Sequence, residues 1–254
     1  MKEIGMGHTQ ILFNDPESMR KGKQCLASLD TTGGTVFADK ACRFALYKAK
    51  KLDVKFILSG DASTFDSLVY DTSDSRKVIG VCTKDKSIHI VELVVAACGG
   101  WTPTVVPKLD SICETTGGSV TLIKIPRSSP FYDRFVPEYF PTWMFKMCDG
   151  GSGGRYGFPR DRDSYLKIGY RGTKYTNPKV QADELGAAGI NIEKTWLCWY
   201  CDAYDNNFVI DHVPEKDGLM VATGGSGHAF KLLPNIGKWI VGVIEGNGLN
   251  RELI

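Results

Sequence analysis

The most aliphatic stretch of the chain, Leu93 to Cys98, ends abruptly in Gly99-Gly100-Trp101-Thr102-Pro103. It is far shorter than the ~20 residues a membrane span requires, and it suits a strand. With Val91 and Glu92 in front, Val91 to Cys98 reads as a mostly apolar strand buried on both faces. Strands of that kind occur in parallel sheets covered by helices, so this run selects α/β layering for its part of the chain.

The flanking segments agree. Ala41, Ala45 and Ala49, with Phe44 and Tyr47, recur at helical spacing and predict a helix from Ala38 to Leu52. Val54 to Leu58 reads as the strand after it. Phe65 to Tyr70, Val78 to Cys82 and Ser87 to Ile90 read as a small antiparallel meander. Its turns are Asp71-Thr72-Ser73-Asp74 and Lys84-Asp85-Lys86. Phe208-Val209-Ile210, Leu219 to Ala222 and the turn Thr223-Gly224-Gly225-Ser226-Gly227 return to α/β style. A last helix is expected from about Ala229 to Glu245, kinked near Pro234. Leu109 to Leu197 differs: strand-like runs at Ser119 to Ile125 and Tyr165 to Tyr170, many aromatics and the glycine loop Asp149 to Gly154 suggest an antiparallel second domain. Residues 1–30, with a turn at Asn14-Asp15-Pro16 and a basic stretch from Met19 to Lys23, read as a tail rather than a first element.

The 254 residues suffice for one large or two interleaved domains. A net charge of +2 offers no basic surplus for nucleic acid, and no run suggests a membrane partner. The start has no apolar signal-like region, and the end is not a Ser-Lys-Leu signal. The expectation is therefore a cytoplasmic protein with its eight cysteines reduced.

Three constellations could carry chemistry. Gly224-Gly225-Ser226-Gly227-His228 joins an apolar strand to a helix, where backbone N–H groups could meet an anionic or carbonyl ligand; from the turn alone a plain connection is the favoured reading. Cys198-Trp199-Tyr200-Cys201 could be a redox dithiol or two thiols in an ordinary strand. It lacks a second C-x-x-C, and the four histidines have no ligand spacing, so no metal site is expected. Lys167, in Tyr165-Leu166-Lys167-Ile168-Gly169-Tyr170, shares a strand face with Tyr165 and Gly169 and reads as solvated or as lining a polar cavity. No G-x-G-x-x-G occurs anywhere, which excludes an intact Rossmann phosphate site.

Taken in order, these segments resemble the flavin-dependent amine oxidases of the monomeric sarcosine oxidase type. The nearest branch is fungal, that of fructosyl amino acid, pipecolate and saccharopine oxidases. The resemblance rests on Gly33 to Ala41, Val54-Lys55-Phe56, Val95 to Thr102, Tyr156 to Pro159 with Leu166 to Tyr170, Cys198-Trp199-Tyr200 with Phe208 to Asp211, and Ser226 to Lys231 with Leu233 to Gly237. It implies a truncated FAD-binding domain of the glutathione-reductase type (33–110 and 205–254), interleaved with an antiparallel-sheet substrate domain (1–32 and 111–204), a mixed α+β and α/β chain. It implies FAD as cofactor, covalent through Cys198 at the flavin 8α carbon, with Cys98, Gly99, Trp101, Gly225, Ser226, Gly227, His228 and Lys231 around it. Lys167 would sit near flavin N5 and favour reaction with dioxygen. Lys231 would help hold a substrate carboxylate, and Tyr156 and Tyr200 would line the pocket. The N–H groups and dipole of the helix after Gly225 to His228 would favour reduced flavin. The implied reaction is oxidation of a C–N bond in a secondary amine or amino acid by O2, giving an imine and hydrogen peroxide, in a chain of unread oligomeric state. The resemblance to the fungal branch also suggests a peroxisome, but without a C-terminal signal the expectation stays cytoplasmic.

Two departures stand out. The family's opening βαβ unit, with its glycine fingerprint and a carboxylate-binding arginine, has no counterpart here, and Thr35 replaces a bulky aromatic. The chain is therefore expected to be a truncated form, poorly soluble or a weak FAD binder. The alternatives are a non-catalytic binding module without flavin and a thiol redox protein using Cys198 and Cys201.

Overall fold

The computed structural model describes residues 2–5, 8–13, 25–30, 33–145, 154–170 and 192–246. The chain divides into two compact units, Met1–Lys55 and Phe56–Ile254. The fold mixes several antiparallel sheets with little helix, and the described residues contain no full Rossmann domain.

In the first unit, β1 (Lys2–Gly5), β2 (His8–Phe13) and β3 (Cys25–Asp30) form an antiparallel sheet in that order. This corrects the reading of residues 1–30 as a tail. The backbone ladder, with Leu12 opposite Leu26, forms despite the weak alternation of these short segments. The turn expected at Asn14-Asp15-Pro16 and the basic stretch Met19 to Lys23 lie outside the described residues. Helix α1 spans Ala38–Lys51 as its alanine period predicts, with Lys48, Lys50 and Lys51 at the end where the dipole favours cations. None of its residues is buried; Phe44 and Tyr47 are exposed.

Val54 to Leu58 is not a strand. Extended chain becomes a strand only by pairing, and none of the described strands pairs with it.

In the second unit, β4 (Phe65–Tyr70), β5 (Val78–Thr83) and β6 (Ile88–Ile90) form the expected meander. Aspartates fix its turns. Asp71 accepts from the Ser73 amide at 2.8 Å, and Asp85 accepts from the Thr83 hydroxyl and the Ser87 amide at 2.6 and 3.0 Å. A second sheet runs β13 (Val209–His212), β14 (Leu219–Thr223), β7 (Val94–Ala96), antiparallel then parallel. Its centre is β14, where Leu219, Met220 and Val221 are at most 3% exposed. Leu219 and Val221 form one core cluster with Val78, Ala96, Val106, Leu109 and Val213. The expectation that Val91 to Cys98 is buried on both faces is corrected. Only Val94–Ala96 pairs, and Val95 is 38% exposed. Among the described residues β7 has a strand neighbour on one side only, whereas β14 has one on each.

The largest sheet is fully antiparallel, in the order β12 (Ile192–Ala203), β8 (Cys113–Lys124), β11 (Tyr165–Tyr170), β10 (Arg155–Phe158), β9 (Trp143–Phe145). Helix α2 (Thr102–Val105) follows the Gly99–Trp101 turn. The expected final helix is two pieces rather than one kinked rod. A single 3-10 turn, Ala229–Leu232, precedes Pro234, and α3 spans Ile236–Ile244. Proline lacks the amide needed to carry the ladder through.

Candidate active site

The register of the large sheet brings four of the expected residues together. Lys167 pairs with Leu122 on β8 and Phe158 on β10; Gly169 pairs with Val120 and Tyr156. On the other side of β8, Cys198 pairs with Gly118 and Tyr200 with Thr116. Side chains directly opposite share a face and alternate along each strand. Lys167, Tyr156, Cys198 and Tyr200 therefore all project from one face. The Tyr156 and Tyr200 hydroxyls are 3.5 Å apart. Lys167 is half-buried, its Nζ 5.3 Å from the centre of the Phe158 ring. Two residues beyond Tyr200, the Thr116 hydroxyl donates to Asp202 at 2.5 Å on the same face.

The opposite face carries Trp199, Cys201, Thr115 and Cys113. Trp199 meets Trp101 edge-on with ring centres 6.2 Å apart, and the Thr115 hydroxyl donates to the Gly100 carbonyl. Cys201 Sγ is 3.2 Å from the Thr223 hydroxyl, which also contacts Thr102 Oγ1 at 3.1 Å and the Gly99 carbonyl at 3.2 Å. Gly99 and Trp101 thus attach to the face away from Lys167. Cys98, just before them, is exposed overall, yet neighbouring atoms crowd its thiol and desolvation raises its pKa. Burial, reinforced by neighbouring Cys201, pushes the Cys113 thiol up to about 12.

The turn Gly225 to His228 is fastened to the end of β12. The Ser226 amide donates to the Cys201 carbonyl at 2.8 Å, and the Ser226 hydroxyl accepts from the Ala203 amide at 3.1 Å and donates to the Gly224 carbonyl at 3.0 Å. Ser226 is fully buried and holds the backbone in place. The His228 and Ala229 amides both turn back to the Gly225 carbonyl. His228 Nδ1 lies 3.0 Å from the Ser226 carbonyl, with its ring against Phe208. Lys231 is exposed on the single 3-10 turn. The dipole argument loses most of its force here, because one 3-10 turn has few aligned peptides.

Cys198 and Cys201 point to opposite faces of β12, an odd number of residues apart, so the C-x-x-C cannot close on itself. That overturns the dithiol reading. The neighbour of Cys201 is Cys113, across the ladder on β8. The residues that sequence reasoning missed are Gly118, Gly169, Thr115, Thr116 and Asp202. The signal for Gly118 is a glycine inside a strand, which marks a close approach, but the run expected from Ser119 to Ile125 begins just after it.

A family model described as FAD dependent oxidoreductase matches residues 13–242. L-saccharopine oxidase from Schizosaccharomyces pombe is 28% identical over 276 residues, covering 97% of this chain and 62% of that protein. Monomeric sarcosine oxidase from Bacillus sp. is 25% identical over 177 residues, covering 60% of this chain and 43% of that protein. The fold is similar to that of the fructosamine oxidase Amadoriase II from Aspergillus fumigatus, with a TM-score of 0.77, 20% identity and coverage of 96% and 63%. For the fructosyl peptide oxidase from E. terrenum the values are 0.76, 23%, 98% and 65%. The chain spans less than two-thirds of the length of each of these proteins. Among the described residues no helix is long and apolar enough to cross a membrane.

Proposed function

Since the chain belongs to the family of FAD-dependent oxidoreductases, we propose that it serves the oxidation of the C–N bond of a secondary amine or N-substituted amino acid by O2. The products are an imine, which water hydrolyses, and hydrogen peroxide. The observation that carries this reading is the gathering of Lys167, Tyr156, Cys198 and Tyr200 on one face of one sheet. The names of the relatives, saccharopine oxidase, N-methyl-L-tryptophan oxidase and sarcosine oxidase, support an N-substituted amino acid as the substrate class.

The residues present fit the ring half of FAD. A half-buried thiol, a lysine and two tyrosines share a face, and the turn fastened to the end of β12 bends at Gly224 and Gly227, whose φ values of 69° and 72° suit glycine. They do not fit the diphosphate half, since no G-x-G-x-x-G occurs and the Ser226, His228 and Ala229 amides are engaged inside the turn. FAD, when bound, supplies two-electron acceptance from the substrate and two-electron delivery to O2. In this reading Cys198 holds the flavin through its 8α carbon. Lys167 places a cation where negative charge develops on oxygen. Tyr156 and Tyr200 wall the substrate pocket, and Lys231 attracts the substrate carboxylate. The large sheet is then substrate-facing, and the sheet of β13, β14 and β7 belongs to the flavin portion.

The test is an absorbance spectrum after incubation with FAD, before and after acid precipitation. Yellow colour that stays in the precipitate, and that Cys198→Ala releases into the supernatant, is the expected result. A colourless protein overturns the reading in favour of a binding module without flavin. The exposed run Phe56, Ile57 and Leu58, at 38%, 51% and 68%, is the observation that favours that second reading.

A further inference from the structure

Tyr156 and Tyr200 stand on strands that are not neighbours. Strands β8 and β11 lie between β12 and β10. Three strand spacings put their backbones about 14 Å apart. Upright rings would never meet, yet the two hydroxyls are 3.5 Å apart. Each ring must therefore lean inward and lie down over an intervening strand.

The residues beneath the rings are glycines. A Cβ on Gly118 of β8 would come within 2.9 Å of Tyr200 Cε2. A Cβ on Gly169 of β11 would collide with the hydroxyl end of the Tyr156 ring, at Cζ. Both glycines project toward the face that carries Lys167 and Cys198: Gly169 is two residues from Lys167, and Gly118 is directly opposite Cys198. Gly169 is buried, and neither glycine adopts a positive φ, so a turn does not explain them.

We propose that Gly118 and Gly169 are the positioning residues of the substrate pocket. By leaving the sheet floor bare, they let Tyr200 and Tyr156 close into a single aromatic bridge beside Lys167 and Cys198. This inference rests on the reading of that face as the place where flavin and substrate meet. A side chain at either glycine lifts one ring, parts the hydroxyls and changes the pocket's height without touching Lys167 or Cys198.

The experiment uses the full chain labelled with tyrosine carrying 13C at Cζ, with Tyr156 and Tyr200 assigned through Tyr→Phe variants. Gly169→Ala and Gly118→Ala are each expected to move both tyrosine resonances. Gly157→Ala, beneath Trp143 on the opposite face, is expected to move neither. Gly169→Ala should lower the folding equilibrium constant about tenfold or more, as overpacking does. In a Tyr156→Ala background that loss should shrink below about twofold. Should Gly169→Ala fail to fold, Gly118→Ala together with Tyr156→Phe, which should move the Tyr200 resonance, carries the test. Unmoved resonances, or a penalty that persists without the ring, overturn the assignment. Neither readout needs flavin. A protein that passes here and stays colourless with FAD overturns the proposed function and leaves the two glycines as supports of the tyrosine bridge.

Discussion

The two faces of the five-stranded sheet share one backbone and do opposite things. On one, Gly118 and Gly169 leave room for Tyr200 and Tyr156 to lie flat, and Lys167 and Cys198 stand beside them. On the other, Thr115 and Cys201 meet the Gly99–Trp101 turn and Thr223 at the end of β14 through hydroxyl and thiol contacts, and Cys113 packs against Cys201. Adjacent residues of β12 belong to different tasks: Cys198 and Tyr200 face the proposed site, while Trp199 and Cys201 face the packing. A period of two lets one strand serve both, and substitutions on the two faces should separate function from stability.

The largest separation is expected at Lys167. In the flavin-loaded protein, Lys167→Met should slow flavin reoxidation by O2 about 10²- to 10³-fold, the usual scale for one aimed charge or donor. Its midpoint of urea unfolding should stay unchanged. Stopped-flow reoxidation and a urea titration read the two quantities, and equal reoxidation rates would remove Lys167 from the chemistry. Thr223→Val is the converse. Its hydroxyl touches Cys201, Thr102 and the Gly99 carbonyl, so its loss should destabilise the chain by about 1–2 kcal/mol. The colour retained through Cys198 should not change. A variant that loses flavin before it loses stability would show that the two faces are coupled.

How much of this was legible in the residues varies with how local the cause is. Helix α1 was, because Ala41, Ala45 and Ala49 keep a helical period, and so was β11, read as Tyr165 to Tyr170. The meander was readable from its aspartate turns, whose side chains fix the bend locally. The exposure of β7 was not: its valines look like those of a central strand, and only the number of strand neighbours tells them apart. The first half of β8 was missed because Gly117-Gly118 looks like a break, while the ladder continues to Cys113. Lys167 and Cys198 stood out from the residues alone, one on an alternating strand and one in a C-x-x-C, while their proposed roles and those of Tyr156 and Tyr200 came through the family resemblance. No spacing rule connects positions 156 and 200, which meet only after β8 and β11 fill the space between them.

The smallest predicted effect is invisible at neutral pH and belongs to the packing face. Burial beside Cys201 pushes the Cys113 thiol up to about 12, from an ordinary value near 9. The folded chain therefore holds this proton across a range in which the unfolded chain releases it. Stability follows the difference in bound protons. It should be flat below about pH 9, decline as pH rises from about 9 to about 12, and level off beyond. Cys113→Ala removes the titrating group, so its unfolding free energy should lose this component of the alkaline slope while keeping any slope from other groups. Urea titrations at pH 7, 9 and 10.5 on both proteins measure the difference. An alkaline slope unchanged in Cys113→Ala would remove Cys113 as the proton-holding thiol of the packing face.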